Sequence, residues 1–271
     1  MNVRALQCVS CGGAIANRPG ERMPRCLFCG RSELVEMRIP ETVEEPAGWI
    51  PFAVDEAAAV QGFRSWAKGR FWAPNAIRRA RVDLSRLFVP AWIWDGRLET
   101  HWTGLVSAST RSGKRPTSGQ DTAELSGVLV PSSPALSASE LADLSPFSDA
   151  QERPWGDDLP APQEVGTLTR SIARQRGVAQ MEALHGARIR AAQGLLSVHT
   201  SSLVLRADGR PVLLPIWIGA YVHGEDSYRV VLNGQTGAVT GTAPISWMKV
   251  AVAVGLGCFA LLLVIAVLAN G

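Results

Sequence analysis

Two Cys-x-x-Cys-Gly pairs near the N-terminus, turn-punctuated apolar runs in the middle and twenty uncharged residues at the C-terminus predict an α+β protein in three parts. These parts are a metal-stapled N-terminal ribbon, an antiparallel β-rich body with a few helices, and a single C-terminal transmembrane helix. The expected boundaries are 1–38 for the ribbon, 39–51 for a linker, 52–246 for the body and 250–269 for the helix.

The ribbon rests on Cys8-x2-Cys11, fourteen residues, then Cys26-x2-Cys29. Four thiolates can close a tetrahedral shell around Zn²⁺, and a closed shell marks a structural site. Gly12 and Gly30 each follow the second cysteine of a pair, where a residue without Cβ lets backbone N–H groups turn towards sulfur. One structural zinc ion held by Cys8, Cys11, Cys26 and Cys29 is therefore expected. An iron centre of rubredoxin type uses the same ligand pattern. Disulfides would need an oxidising compartment, and Met1 to Ala16 lacks the apolar core of a signal peptide. So short a segment cannot fold on apolar burial alone, so metal binding supplies on the order of 10 kcal/mol of its folding free energy.

The linker IPETVEEPAGWIP carries three prolines and reads as extended. A helix follows in DEAAAVQGFRSWAKG, with Asp55 as N-cap, Gly69 as stop and Val60, Phe63, Trp66 and Ala67 on one face. LFVPAWIW, Asp95-Gly96 and RLETHWTGLVSAS read as a hairpin around a type I′ turn. STRSGKRPTSGQDTAE then reads as a loop before a short strand GVLVP, and 139–166 as an acidic, proline-rich stretch. Together 107–166 form a loop-rich insert. Residues 167–193 read as a helix interrupted at Gly177 and Gly186, and the remainder as a β-meander with a turn at Ala207-Asp208-Gly209-Arg210. Val89-Pro90-Ala91-Trp92-Ile93 echoes Leu214-Pro215-Ile216-Trp217-Ile218, which suggests two related β units. Proline lacks a ladder donor, so both strands are expected at an edge or a bulge.

From Val250 to Ala269 the chain is VAVAVGLGCFALLLVIAVLA. At about 1.5 Å per residue a helix here spans roughly 30 Å, the thickness of the hydrocarbon layer. Twelve of these residues are Val, Leu, Ile or Phe, which favours insertion by roughly 4 to 7 kcal/mol. Trp247 and Lys249 precede the run as interfacial anchors do. This is the pattern of a tail anchor, with the soluble part held in the cytoplasm at the inner membrane.

No catalytic motif emerges. His101, His185, His199 and His223 are scattered, no nucleophile elbow or phosphate loop is present, and the neighbours Asp157 and Asp158 read as solvated. The chain is read as a non-enzyme. Nine tryptophans read mainly as core, with an aromatic partner surface as the functional alternative. Arg64 to Arg97 carries seven arginines and Lys68 against two aspartates, a face able to meet phosphate backbones or anionic lipid. A formal net charge of only +3 argues against a nucleic-acid polycation.

The motifs CVSCGG and CLFCGR, FRSWAKGRFWAPN, LFVPAWIWDG and VLLPIWIGAYVHGEDSYRVVLNGQTGAVTGTAPISW, with the hydrophobic tail, resemble a bacterial family of tail-anchored zinc-ribbon membrane proteins. That family carries labels such as transcription-factor-IIB-type zinc ribbon or similar to primosomal protein N′. The likeness covers most of the chain outside 107–166, and nothing resembles the helicase motor of the primosomal protein. Some members resemble a membrane component found with flotillin-like and phage-shock proteins. The resemblance implies an adaptor or scaffold that recruits cytoplasmic protein partners to the membrane. It supports the four cysteines as zinc ligands and supplies no catalytic residues. The competing expectation is a membrane-tethered nucleic-acid-binding protein.

Overall fold

The computed structural model describes residues 4–17, 25–38, 43–109, 113–156 and 159–270. Half of the arm between the cysteine pairs (18–24), residues 39–42 of the expected linker and the pair Asp157 and Asp158 lie outside the described residues.

Strands β1 (Arg4–Cys8), β2 (Ala14–Asn17) and β3 (Leu34–Arg38) form a small antiparallel sheet in the order β2-β1-β3. The body follows as β4 (Gly48–Trp49), α1 (Glu56–Gly69), a 3-10 turn (Asn75–Arg79), β5 (Val82–Ser107), β6 (Lys114–Pro131), α2 (Ala138–Leu144), β7 (Arg153–Pro154), α3 (Arg170–Ala192), β8 (Ser197–His223), β9 (Asp226–Asn233) and β10 (Val239–Gly241). The last element is α4 (Trp247–Asn270). The protein is thus α+β, with a β-rich body and, among the described residues, four α-helices. α1 starts as expected, Asp55 accepting from the Ala58 N–H at 2.8 Å.

Two very long strands organise the body. β5 (26 residues) and β8 (27 residues) pair antiparallel along almost their full length, from Val82 opposite Tyr221 to Leu105 opposite Ser197. The expected turns at Asp95-Gly96 and Asp208-Gly209 do not form. Both dipeptides lie mid-strand and face each other, Asp95 opposite Asp208 and Gly96 opposite Ala207. Tertiary contacts override the local turn preference. The Trp94 indole lies between Gly209 on β8 and Gly177 on α3, at 2.5 and 2.7 Å from where their Cβ atoms would be. The Asp95 carboxylate accepts from the Gly127 N–H at 2.9 Å, where the β5–β6 register shifts. Gly177 is therefore a packing contact rather than a break, and α3 runs unbroken through it.

The polar stretch expected as a loop forms β6, paired with β5 from Ala91 to Ser107. Its outer half is exposed on both faces, so the alternation that usually reveals a strand is absent. Downstream, the acidic stretch is tied to the body rather than free: Asp149 and Glu152 reach Arg210 at 2.6 and 3.0 Å, and Glu140 reaches Arg229 at 3.4 Å.

The two Pro-x-Trp-Ile copies lie side by side with their first residues paired, Val89 opposite Leu214. Neither is on an edge strand. Each proline sits just outside a neighbouring ladder, because β6 begins to pair at Ala91 and β9 at Ile216. The missing donor of proline costs no ladder bond there. The helices cross over: α1, which precedes β5, packs Ala59 and Phe63 with Trp217 of β8. α3, which precedes β8, packs Ala173 and Met181 with Trp92 and Trp94 of β5. Two helix–hairpin units are thus arranged about an approximate two-fold axis near Val89 and Leu214.

α4 forms over the expected segment. Among the described residues, however, no helix is long and apolar enough to cross a membrane. The expected transmembrane helix is therefore met as a helix and not as a span.

The Trp94 sandwich yields a prediction whose sign opposes helix propensity. Alanine exceeds glycine by about 0.8–1.0 kcal/mol in an open helix site. Gly177→Ala should nevertheless destabilise the full-length protein by about 1–3 kcal/mol through overpacking against Trp94. A raised thermal midpoint by tryptophan fluorescence would contradict this packing.

Candidate metal centre

The first cysteine of each pair opens a tight knuckle. The N–H of Gly12 donates to the Cys8 carbonyl and that of Gly30 to the Cys26 carbonyl, each at 2.9 Å. Both glycines take φ near +75°, the left-handed region that side chains with a Cβ avoid. The Phe28 N–H points at Cys26 Sγ at 3.4 Å. The knuckles are joined by Val9 N–H to the Glu33 carbonyl at 3.2 Å and by Arg31 Nη1 to Ser10 Oγ at 3.3 Å.

These turns bring all four expected ligands together. The Sγ atoms of Cys8, Cys11, Cys26 and Cys29 lie within 4.8 Å of one another. Cys8 and Cys29 are 3.5 Å apart, Cys11 and Cys26 3.6 Å. Four sulfurs at about 2.3 Å from a tetrahedral zinc would be roughly 3.8 Å apart. A disulfide needs about 2.05 Å, and all five cysteines are free. The cluster can hold one metal ion, and its donor set fits a structural zinc. Burial raises the Cys8 thiol, but N–H groups of Cys11 and Ser10 outweigh this and leave it at about 7. Burial pushes Cys11 and Cys26 up. A metal cation would reverse that cost, because it binds thiolates.

The ribbon is built into the body. Phe28 rests on Gly13, 2.5 Å from where a Cβ would be. With Cys8, Ile15 and Cys26 it shares one core with Leu87, Val89 and Ile216 of the long strands. Residues 162–165 lace the two sheets. On one edge Ala16 N–H donates to the Gln163 carbonyl (2.9 Å) and Val165 N–H to the Ala14 carbonyl (2.7 Å). On the other, Phe88 N–H donates to the Pro162 carbonyl and Glu164 N–H to the Phe88 carbonyl, each at 2.8 Å. No sequence motif marks this seam.

Glu164 sits inside the seam, 2 % exposed, and neither carboxyl oxygen has a hydrogen-bond partner. Burial pushes its carboxyl up to about 8. The Ser133 hydroxyl, the Arg229 guanidinium and the Ala135 N–H oppose this from nearby without reaching hydrogen-bond geometry with it.

The histidines gain one structural role. His185, 1 % exposed, places Nδ1 2.9 Å from Thr100 Oγ1 and Nε2 2.9 Å from Asp121. Thr100 Oγ1 is also 2.8 Å from Ser202 Oγ. The hydrogen-bonded chain ties α3 to β5, β6 and β8, with Thr100 fully buried. Trp92 and Trp94 are buried and stacked at 5.7 Å. Of the nine tryptophans, Trp72 and Trp247 are the exposed ones. The chain matches no family model, and no curated protein or solved structure is significantly similar to it.

The buried carboxyl makes stability pH-dependent with a definite sign. Between an ordinary value of 4.5 and about 8, the folded protein keeps a proton that the unfolded chain releases. Stability from this group therefore falls as pH rises through that window. Glu164→Gln should remove the loss, gaining on the parent by up to a few kcal/mol between about pH 6 and pH 8. Parallel melting-temperature profiles for parent and variant across that range would contradict it.

Proposed function

We propose that this chain is a tail-anchored adaptor of the bacterial inner membrane. α4 would hold it in the bilayer, a single zinc ion would staple the ribbon, and the cytoplasmic body would recruit protein partners. The observation that carries the reading is the state of α4. Every large apolar side chain described from Val252 to Leu268 is 53–77 % exposed. Gly255 and Gly257 have nothing within 4 Å of a built Cβ. Water is a poor solvent for so extended an apolar surface, and 250–269 carries no charge over its whole length. The hydrocarbon core of a bilayer covers such a helix on all sides.

Integration of the ribbon changes how recruitment would work. A partner would meet a composite surface of ribbon and body, not a knob on a flexible linker. The resemblance of the motifs to proteins found with flotillin-like and phage-shock proteins makes those classes the first partners to test. The second reading, a membrane-tethered nucleic-acid binder, draws on the exposed arginines between 64 and 97.

Removing 250–271 should move the protein from the alkaline-carbonate-resistant membrane fraction to the soluble fraction. Full-length protein purified from membranes should bring down a flotillin-like or phage-shock-type partner that withstands nuclease and high salt. Retention of the truncated chain on membranes would overturn the anchor. Tight binding of DNA or RNA with a steep salt slope would favour the second reading.

A further inference from the structure

The segment between α1 and β5 carries an exposed surface that the ribbon and the anchor leave unused. Phe71 and Trp72 are 67 and 48 % exposed and pack edge to face, with ring centroids 5.1 Å apart. Large aromatics at a loop tip belong to no core, so something other than packing holds them there.

That loop is fastened to the start of α4. Lys249 Nζ donates to the Phe71 carbonyl (2.9 Å), the Ala73 carbonyl (2.6 Å) and Asn75 Oδ1 (3.1 Å). The Ser246 N–H donates to the Trp72 carbonyl at 2.7 Å. Trp247 and Met248, each 77 % exposed, adjoin these bonds in sequence. Phe71 and Trp72 are thus fixed within one lysine side chain of the residue where the apolar run begins. The interfacial layer on each side of a bilayer is roughly 5–8 Å deep, so a loop at this level lies within it.

Within residues 64–81 the charge has one sign. Between 64 and 81 there is no carboxylate, while Arg64, Lys68, Arg70, Arg78, Arg79 and Arg81 are all exposed. Among the described residues none of the six forms an ion pair with a carboxylate. Aromatic side chains flanked by exposed cations, at the foot of an apolar helix, match the two layers of an anionic leaflet: acyl–headgroup boundary and phosphate.

We propose that Phe71 and Trp72, with the basic surface of 64–81, form a second membrane contact that inserts into the headgroup layer of an anionic leaflet and sets the tilt of the body on the bilayer. This rests on the reading of α4 as the anchor. α4 alone fixes only the point of attachment. The Lys249 bonds and the aromatic loop fix the orientation, which decides which faces of the ribbon and body are turned towards the cytoplasm.

The test uses full-length Phe71→p-benzoylphenylalanine protein in phosphatidylcholine vesicles, with or without about 30 per cent phosphatidylglycerol, where each interfacial cation is worth about fivefold in affinity. On irradiation a covalent lipid adduct is expected, more abundant with phosphatidylglycerol. Adding Arg78→Glu, Arg79→Glu and Arg81→Glu should cut it by about tenfold or more. Carbonate extraction of the same vesicles reads the anchor separately. An adduct in protein that carbonate releases overturns the anchor, and with it the tilt-setting role, leaving a peripheral lipid contact. No adduct in protein that carbonate leaves embedded overturns the contact and keeps the anchor, and no adduct in released protein overturns both. An adduct insensitive to phosphatidylglycerol, or crosslinking to added duplex DNA in place of lipid, also overturns the proposal.

Discussion

Residues 162–165 are hydrogen-bonded on both edges, to the ribbon strand β2 on one side and to Phe88 of β5 on the other. A backbone segment buried between two sheets must satisfy its polar groups somewhere, and here it does so by joining them. The ribbon is therefore an extension of the body's hydrogen-bonding system. The side chains follow the same logic. Phe28 and Ile15 leave a sheet too small to bury them and complete a core with Leu87, Val89 and Ile216. A metal held by the cysteine cluster would fix the knuckles in the shape that presents Phe28 to this core. Metal ligation by the four cysteines would then be coupled to packing of the body.

The body itself depends on the β5–β8 register. With Val89 opposite Leu214, each strand's helix lands on the other strand's tryptophan, and each hairpin partner starts just beyond a proline. The glycines at 177 and 209 admit the Trp94 ring, and the buried His185 chain fixes α3 over the same strands. Shifting the register by one residue would turn the tryptophans out of both cores.

Features that depend on neighbours in sequence were legible. Cysteine spacing specifies the ligand cluster because both ligands of a knuckle come from one turn, and Asp55 marks the start of α1 because capping is local. Features set by distant contacts were not. The Asp-Gly pairs at 95–96 and 208–209 carry genuine turn chemistry, but each is held extended by the other strand and by Trp94. β6 lacks apolar alternation because water faces both sides of its outer half. Nothing local in 162–165 announces that two sheets will claim it, and the unpartnered Glu164 is visible only once both are in place. The echo of Pro-x-Trp-Ile was readable as a pair of strands, but their central position was not.

On the proposed adaptor reading, ribbon and body would present one composite surface, and partner affinity would depend on the metal even where no partner touches the cysteines. The most direct measurement is hydrogen exchange on full-length protein against its Cys26→Ser variant, with bound zinc counted in each. The account predicts about one zinc per parent chain and none in the variant, with protection lost both in the ribbon and along β5 around Phe88 and Val89. A variant that loses zinc yet keeps β5 fully protected would show that the ribbon folds apart from the body and would contradict the account.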